Sequence, residues 1–228
     1  MIFIRNIFFY IIFYIWTVLF FSFFSPVKFF TREFTVKLSN FWTGSVINLA
    51  KSILNIDFEV QGNFKSRNQQ FILVSNHQSA WETFFYPSIF PNSVFVMKES
   101  LTKLPILNGY FEKLGYIPIN RKKGYASTKK ILKAAKSSLR NGANSIIIFP
   151  EGTRVDPDDR SKIHASGIFI LYKYLNIPIL VIKHNSGKLW RNKKFMKING
   201  KINIKIFPVI KTGLTKEEMT SKINHFFS

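Results

Sequence analysis

His77 and Glu82 are the two side chains of this sequence whose types and spacing best suit acid–base chemistry. They directly follow an apolar run at residues 71–76 (FILVSN), which predicts a buried strand. Imidazole exchanges protons near neutral pH and is the commonest general base in enzymes, but it needs an acid to orient it. Sites in open α/β sheets lie at the ends of strands, and this pair falls at such a place.

The spacing of this pair requires a turn rather than one continuous helix. In an α-helix, residues i and i+5 lie about 140° apart, so the two side chains would point to different sides. If a helix starts after Ser79, His77 lies in the entering turn and can fold back to the carboxylate. Residues 79–82 (SAWE) have the capping-box pattern that starts a helix there. Glu82 could therefore cap the helix, orient His77, or do both.

Residues 150–154 (PEGTR) form a second block whose residue types could bind a ligand. They follow another apolar strand pattern at residues 145–149. Pro150 ends the strand, and Gly152 allows a tight turn that exposes backbone amides. The planar guanidinium of Arg154 suits a phosphate group. A plain turn with a surface arginine is the alternative for this block alone.

Arg121 comes after a third strand pattern, at residues 116–119, and two lysines follow it. A further cation near the first two blocks would suit a phosphorylated ligand. A solvated basic strand end is the alternative.

These blocks need a common sheet to bring them together. From residue 56 onward, short β-rich runs alternate with helical patterns, which predicts an α/β domain with a sheet covered by helices. The predicted strands are residues 58–60, 70–75, 93–97, 116–119, 145–149, 179–183 and 201–207, and the predicted helices are residues 125–140, 161–175 and 215–227.

Residues 6–27 carry no charge and are mostly Phe, Ile, Tyr and Leu. A helix of this length would be roughly 33 Å long, enough for the roughly 30 Å hydrocarbon core of a bilayer. We expect a membrane anchor. A secretory signal peptide is the competing interpretation, although the run is longer than a usual signal core and lacks a small-residue cleavage site. More Lys and Arg residues follow the run than precede it, which predicts an inner-membrane protein with its main domain on the cytoplasmic side.

Residues 38–50 form a second uncharged stretch, too short to span a bilayer. It is either an interfacial helix or hairpin partner of the first segment, or an ordinary core helix. We therefore expect residues 1–54 to form the membrane anchor with its interfacial helices, and residues 55–228 to form the main domain.

The composition excludes several classes of protein. The 228 residues contain no Cys, which rules out disulfides, thiolate metal clusters and a cysteine nucleophile, and the four His are too scattered for a usual zinc site. The formal net charge of +21 indicates acidic partners such as nucleic acid, an anionic bilayer or phosphorylated ligands, although an AT-rich genome could account for much of the excess. No metal site and no nucleic-acid motif is predicted.

Four ordered blocks resemble the glycerolipid acyltransferase family, specifically its 1-acyl-sn-glycerol-3-phosphate acyltransferases. The blocks are residues 76–82 (NHQSAWE), 115–121 (GYIPINR), 149–154 (FPEGTR) and 177–181 (IPILV). The apolar amino-terminal segment also fits this family. Pro178 and its block are expected to be core rather than substrate contacts.

The resemblance implies the family's α/β fold and transfer of a fatty acyl chain from an acyl thioester to the sn-2 hydroxyl of lysophosphatidate, giving phosphatidate. His77 would remove the hydroxyl proton and Glu82 would orient the imidazole, with no acyl-enzyme and no bound cofactor. Acyl-CoA or acylated acyl carrier protein would be the co-substrate, and membrane lipids rather than nucleic acid the partners. The resemblance assigns the glycerol-phosphate site to Arg121, Glu151, Gly152, Thr153 and Arg154.

Two features depart from the family pattern. The commonest acid of the first block is Asp, whereas Glu82 is one methylene longer, so the geometry of the pair is open. Residues 183–185 (KHN) stand where a more apolar continuation is expected, and we expect His184 to face solvent rather than the site. His164 and His225 have no neighbouring acid and are assigned no role.

Two other functions stay open on the sequence alone. The acceptor could be another lysolipid, such as a lysophospholipid or a lyso-amino lipid. A non-enzymatic basic protein at the membrane surface is the remaining hypothesis, and it predicts steeply salt-dependent binding without turnover.

Overall fold

A seven-stranded sheet forms the centre of the computed structural model, which describes residues 1–64, 69–120, 124–157 and 163–227. The strand order is β1-β7-β6-β2-β5-β3-β4, and all neighbours are parallel except β6 and β7. Each strand predicted from the sequence is present to within two residues at either end. The strands are β1 (Ile56–Gln61), β2 (Phe71–Ser75), β3 (Ser93–Lys98), β4 (Ile117–Ile119), β5 (Ser145–Ile148), β6 (Ile179–His184) and β7 (Gly200–Ile206).

The second strand, β2, divides the core into two layers. Successive side chains of a strand point to opposite faces, and all five residues of β2 are buried. Phe71 and Leu73 belong to the apolar cluster on one face, whereas Ile72 and Val74 belong to the cluster on the other. A strand buried on both faces needs a continuous apolar run, which is the pattern that the sequence shows. Residues 179–182 of β6 are also fully buried, so this block is core, as expected.

Three helices cover the first face: α1 (Ile2–Phe23), α2 (Arg32–Leu54) and α3 (Trp81–Ile89). The predicted stretch at residues 38–50 is the middle of α2, whose inner face packs on the sheet and which also packs against α1. Both interpretations of this stretch therefore describe it in part. The predicted stretch begins only at Leu38 because the first turns of α2 carry charged residues, of which Glu33 and Lys37 are exposed.

The opposite face is covered by α5 (Gly124–Arg140), α6 (Ala165–Leu175) and α8 (Lys216–Phe227). These are the three predicted helices. The α6 helix begins at Ala165 rather than at residue 161, and residues 158–162 lie outside the described part of the chain. Gly142, with φ 92°, follows the end of α5 at the predicted stop signal. Two short helices, α4 (Leu107–Leu114) and α7 (Ser186–Leu189), were not predicted.

The apolar helix α1 lies along the domain. It is long and apolar enough to cross a membrane, and one side of it exposes large apolar side chains such as Phe8 and Ile15. On the other side, the Asn6 amide donates to the Lys197 carbonyl at 3.0 Å and accepts from the Lys197 N–H at 2.7 Å. The helix is therefore packed on the domain along one face and exposed along the other.

Candidate active site

The carboxyl ends of β2, β5 and β6 meet at one edge of the sheet, because β2 pairs in parallel with both of the other strands. Hydrogen bonds then hold the following segments together. The His77 carbonyl accepts from the Val155 N–H at 2.9 Å, and the His77 N–H donates to Glu151 Oε1 at 3.2 Å. The Asn76 amide bonds to the main chain of His184 in both directions, at 2.8 and 2.9 Å. The segments that follow β2, β5 and β6 therefore form one site.

His77 and Glu82 are in direct contact within this site. His77 Nδ1 lies 2.9 Å from Glu82 Oε1, and the helix α3 begins only at Trp81, so His77 sits in the entering turn. Glu82 Oε1 also accepts the backbone N–H groups of Gln78 and Ser79, each at 2.8 Å. The carboxylate therefore holds the turn that leads into α3 and the imidazole at the same time.

Glu82 is fully buried, yet its surroundings favour the ionised form. Burial alone would raise the pKa of Glu82, but the nearby rings of His184 and His77 and the hydrogen bond from Ser79 outweigh burial and lower it. The carboxylate is therefore ionised at physiological pH and holds the Nδ1 side of the His77 ring. Nε2 is left as the ring nitrogen available to a substrate. The ring is also stacked on Phe149, with centroids 4.0 Å apart.

An apolar cavity of about 920 Å³ opens beside His77. Aromatic side chains from α1, α2, α3 and α4 form much of its wall, and cations stand at its edge. Such a cavity suits a hydrocarbon chain that ends in a polar or charged group. The aromatic lining includes Phe20, Trp42, Phe84 and Tyr110, and the polar lining includes Lys98, Thr153, Arg154 and Lys193.

The block after β5 brings its predicted phosphate-binding groups to this cavity. Gly152 has φ 73°, a conformation that costs glycine little, and its N–H donates to the Phe149 carbonyl at 3.1 Å. Thr153 and Arg154 are exposed and line the cavity together with His77. A phosphate bound by Arg154 would therefore lie in the same cavity as the imidazole.

Arg121 lies outside the described residues, so its contact with phosphate stays a prediction. Lys98, at the end of the strand β3 beside β4, is exposed and lines the cavity. Lys98 was not among the residues predicted from the sequence. The available signal was the one used for Arg121, a cation at the end of a predicted strand.

Glu151 carries a carboxyl group that is only partly paired. Its Oε1 accepts the His77 N–H, whereas its Oε2 is buried without a hydrogen-bond partner among the described residues. Burial raises the pKa of Glu151 to about 7. The folded protein therefore keeps this proton below about pH 7, whereas the unfolded chain loses it near the ordinary pKa of 4.5.

Replacement of Glu151 by glutamine should remove a pH-dependent loss of stability. The raised pKa means that the stability contributed by protonated Glu151 is complete below about pH 4.5 and is lost as the pH rises through about 7. Between pH 5 and pH 8 the free energy of unfolding of the wild type should fall by about 2 kcal/mol more than that of Glu151→Gln. This difference corresponds to about 4–8 °C in Tm. Thermal unfolding in detergent measures this difference. An equal pH dependence of the two proteins would contradict it.

His184 and Ser186 differ from the sequence-based expectation. His184 is only 4% exposed, so the prediction that it faces solvent is wrong. Burial lowers the pKa of His184, and the nearby Glu82 carboxylate opposes this shift. Ser186, which the sequence analysis missed, donates its hydroxyl to Glu82 Oε2 at 2.8 Å. No local pattern marks this serine because it reaches the acid from 104 residues away.

A mainly parallel sheet, a histidine–carboxylate pair at its carboxyl edge and an adjoining apolar cavity together define a class of enzyme. Such a site can activate a hydroxyl group by general-base chemistry on a substrate with an apolar chain.

Sequence comparison gives the family. The Acyltransferase family model matches residues 57–210, so the chain belongs to the acyltransferase family. This confirms the resemblance seen in the four sequence blocks.

Individual relatives agree with the family. A Pseudomonas aeruginosa protein named 1-acyl-sn-glycerol-3-phosphate acyltransferase is 29% identical over 91% of this chain and 80% of its own length. A Saccharomyces cerevisiae protein of the same name is 27% identical over 75% of this chain and 58% of its own length. The crystal structure of the 1-acyl-sn-glycerophosphate acyltransferase PlsC from Thermotoga maritima covers all of this chain and 95% of the other, with a TM-score of 0.79 and 22% identity. That match confirms the α/β fold with its sheet flanked by helices.

Proposed function

We propose that this protein transfers a fatty acyl chain from an acyl thioester to the sn-2 hydroxyl of lysophosphatidate and so forms phosphatidate. The observation that carries the proposal is the His77–Glu82 contact of 2.9 Å at the wall of an apolar cavity that Arg154 also lines. The names of the relatives support the same activity. The cavity would take the acyl chain, and the arginine would take the phosphate.

The proposed reaction starts at the imidazole of His77. Nε2 accepts the proton of the sn-2 hydroxyl while that oxygen attacks the thioester carbonyl, and Glu82 stabilises the resulting imidazolium. When the C–S bond breaks, the thiolate leaves and takes up the same proton from Nε2. The oxygen–carbon bond replaces the sulfur–carbon bond directly, so no acyl-enzyme forms and no cofactor is required.

The glycerol phosphate would bind at the turn that follows β5. We assign its phosphate to the Arg154 guanidinium, with the Thr153 hydroxyl beside it, because both are exposed in the cavity. Gly152 lets the turn form, Glu151 holds the backbone of His77, and Arg121 would supply a further cation. The acyl donor, a coenzyme A or acyl carrier protein thioester, is anionic and would be attracted by the lysines at the cavity edge.

The amino-terminal helices would supply the membrane contact. The exposed apolar side of α1 fits the hydrocarbon region of a bilayer, and its packed side keeps the cavity close to that surface. We propose that residues 1–54 contact the inner membrane and that residues 55–228 form the catalytic domain on its cytoplasmic side.

An acceptor panel tests the proposed function. Purified protein in liposomes should acylate lysophosphatidate with acyl-CoA or acylated carrier protein. A preference for a lysolipid without a phosphomonoester would favour a different acceptor. Anionic lipid binding without turnover on any acceptor would indicate a non-enzymatic surface protein.

Replacement of Arg154 by alanine should weaken acceptor binding rather than the chemical step. A charge-assisted hydrogen bond contributes about 1.5–3 kcal/mol, so KM for lysophosphatidate should rise about 10- to 100-fold. Arg140→Ala, which changes an exposed arginine at the end of α5, is the matched control and should leave KM unchanged. An unchanged KM in Arg154→Ala would argue against the phosphate assignment.

A further inference from the structure

The second oxygen of the Glu82 carboxylate is held as closely as the first. While Oε1 contacts His77, Oε2 lies 2.5 Å from Ser79 Oγ and 2.8 Å from Ser186 Oγ. The two hydroxyl oxygens are 2.8 Å apart, and Ser79 Oγ also accepts the Trp81 N–H at 3.0 Å. The carboxylate is therefore restrained at both ends.

The two serines reach Glu82 from different parts of the chain. Ser79 belongs to the same turn as the acid, so its contact is local. Ser186 begins α7, directly after β6, and its own N–H donates to His184 Nδ1 at 3.3 Å. Ser186 is therefore the side chain that ties the acid to a separate strand of the sheet.

The segment around Ser186 is packed tightly against the turn that carries the acid. Ser186 is fully buried, and the Gly187 N–H donates to Gln78 Oε1 at 3.1 Å. A Cβ atom on Gly187 would lie only 2.8 Å from the Cβ atom of Gln78, closer than van der Waals contact. The position of Ser186 against Glu82 is thus set by backbone packing.

We propose that Ser186 is a positioning residue that adapts the catalytic pair to glutamate as its acid. A glutamate side chain has one more rotatable bond than an aspartate, so its carboxylate needs more restraint to stay on the imidazole. Gln78 and Ser79 restrain it from its own turn. The Ser186 hydroxyl adds a restraint on Oε2 from a separate strand, which keeps Oε1 on the imidazole and the ring in its productive orientation. The proposal rests on the proposed function, because the orientation of His77 matters only if His77 is the base.

Kinetics of Ser186→Ala test the proposal. We expect kcat to fall about 10-fold with both KM values unchanged within about twofold, because small misplacements of a catalytic group are costly and the substrates do not touch this residue. Ser186→Thr keeps the hydroxyl and should restore most of kcat.

Ser138→Ala is the matched control for the loss of a buried hydroxyl. Ser138 is buried in α5, and its hydroxyl donates to the Gly115 carbonyl at 2.7 Å, away from the catalytic pair. Its Tm should fall about as much as that of Ser186→Ala, whereas its kcat should match wild type. If Ser186→Ala changes Tm alone, as the control does, the serine is only structural and the proposal is wrong.

A double-mutant cycle with Glu82→Asp tests the adaptation to glutamate. The shorter acid cannot keep Oε2 on Ser186 and Oε1 on His77 together, so Ser186→Ala should lower kcat by less than about threefold in the Glu82→Asp background. Additive losses would contradict the coupling. Absence of turnover in the wild-type protein on every acceptor would instead count against the proposed function, so the two failures are distinguishable.

Discussion

Replacement of His77 by alanine is expected to lower kcat for acyl transfer by about 10²- to 10⁴-fold, the usual contribution of a positioned general base. The reason is specific to the site. His77 Nδ1 contacts Glu82 at 2.9 Å, so Nε2 is the nitrogen of this ring that is left to take the hydroxyl proton. A radiolabelled acyl-transfer assay at saturating donor and acceptor measures the loss.

The matched control for His77→Ala is His225→Ala. His225 is exposed on α8, on the opposite face of the sheet from the amino-terminal helices, and its loss should leave kcat unchanged. Circular dichroism and Tm should show that both variants are folded at the assay temperature. A folded His77→Ala protein that keeps more than about one tenth of wild-type kcat would exclude His77 as the base, given the expected contribution.

Replacement of Glu82 by glutamine is the second large effect, with kcat expected to fall on the order of 10³-fold. The amide is neutral and cannot stabilise an imidazolium. If its NH₂ group faces His77, it donates to Nδ1, which places the ring proton on Nε2 where the base must be free. KM should change little because the fully buried Glu82 does not line the cavity.

Glu217→Gln, a substitution of an exposed acid in the first turn of α8, is the control for Glu82→Gln. It should keep wild-type activity. A Glu82→Gln protein within about threefold of wild-type kcat would show that the carboxylate only holds the turn before α3, because the amide oxygen can still accept the backbone N–H groups of Gln78 and Ser79.

Much of the sheet could be predicted from the sequence because its central strands are buried on both faces. Residues 71–74 and 146–149 are continuously apolar and are followed by Ser75 and Pro150, so the type and length of these strands are visible locally. The amphipathic helices α5 and α8 were visible for a similar reason. The α4 helix was not, because it has only eight residues and too few turns to show a period.

The His77–Glu82 contact was only partly predictable. The capping-box pattern at residues 79–82 indicated where α3 begins, and this placed the imidazole in a turn near the acid. The contact itself depends on more than that turn. Glu151 holds the backbone of His77, and Ser186 holds the far oxygen of Glu82, each from another strand end.

The sequence by itself determined the strands, the main helices and the family, and it predicted the His77–Glu82 pair, because each of these depends on a local pattern of residue types. Only the tertiary structure decided that His184 is buried, that Ser186 reaches Glu82 and that α1 lies along the domain. These follow from the pairing of β2 with β6 and from the packing of α1 beside Lys197, which join residues more than 100 positions apart. Local sequence patterns cannot predict such contacts, since the hydrogen bonds join residues that only the folded sheet brings together.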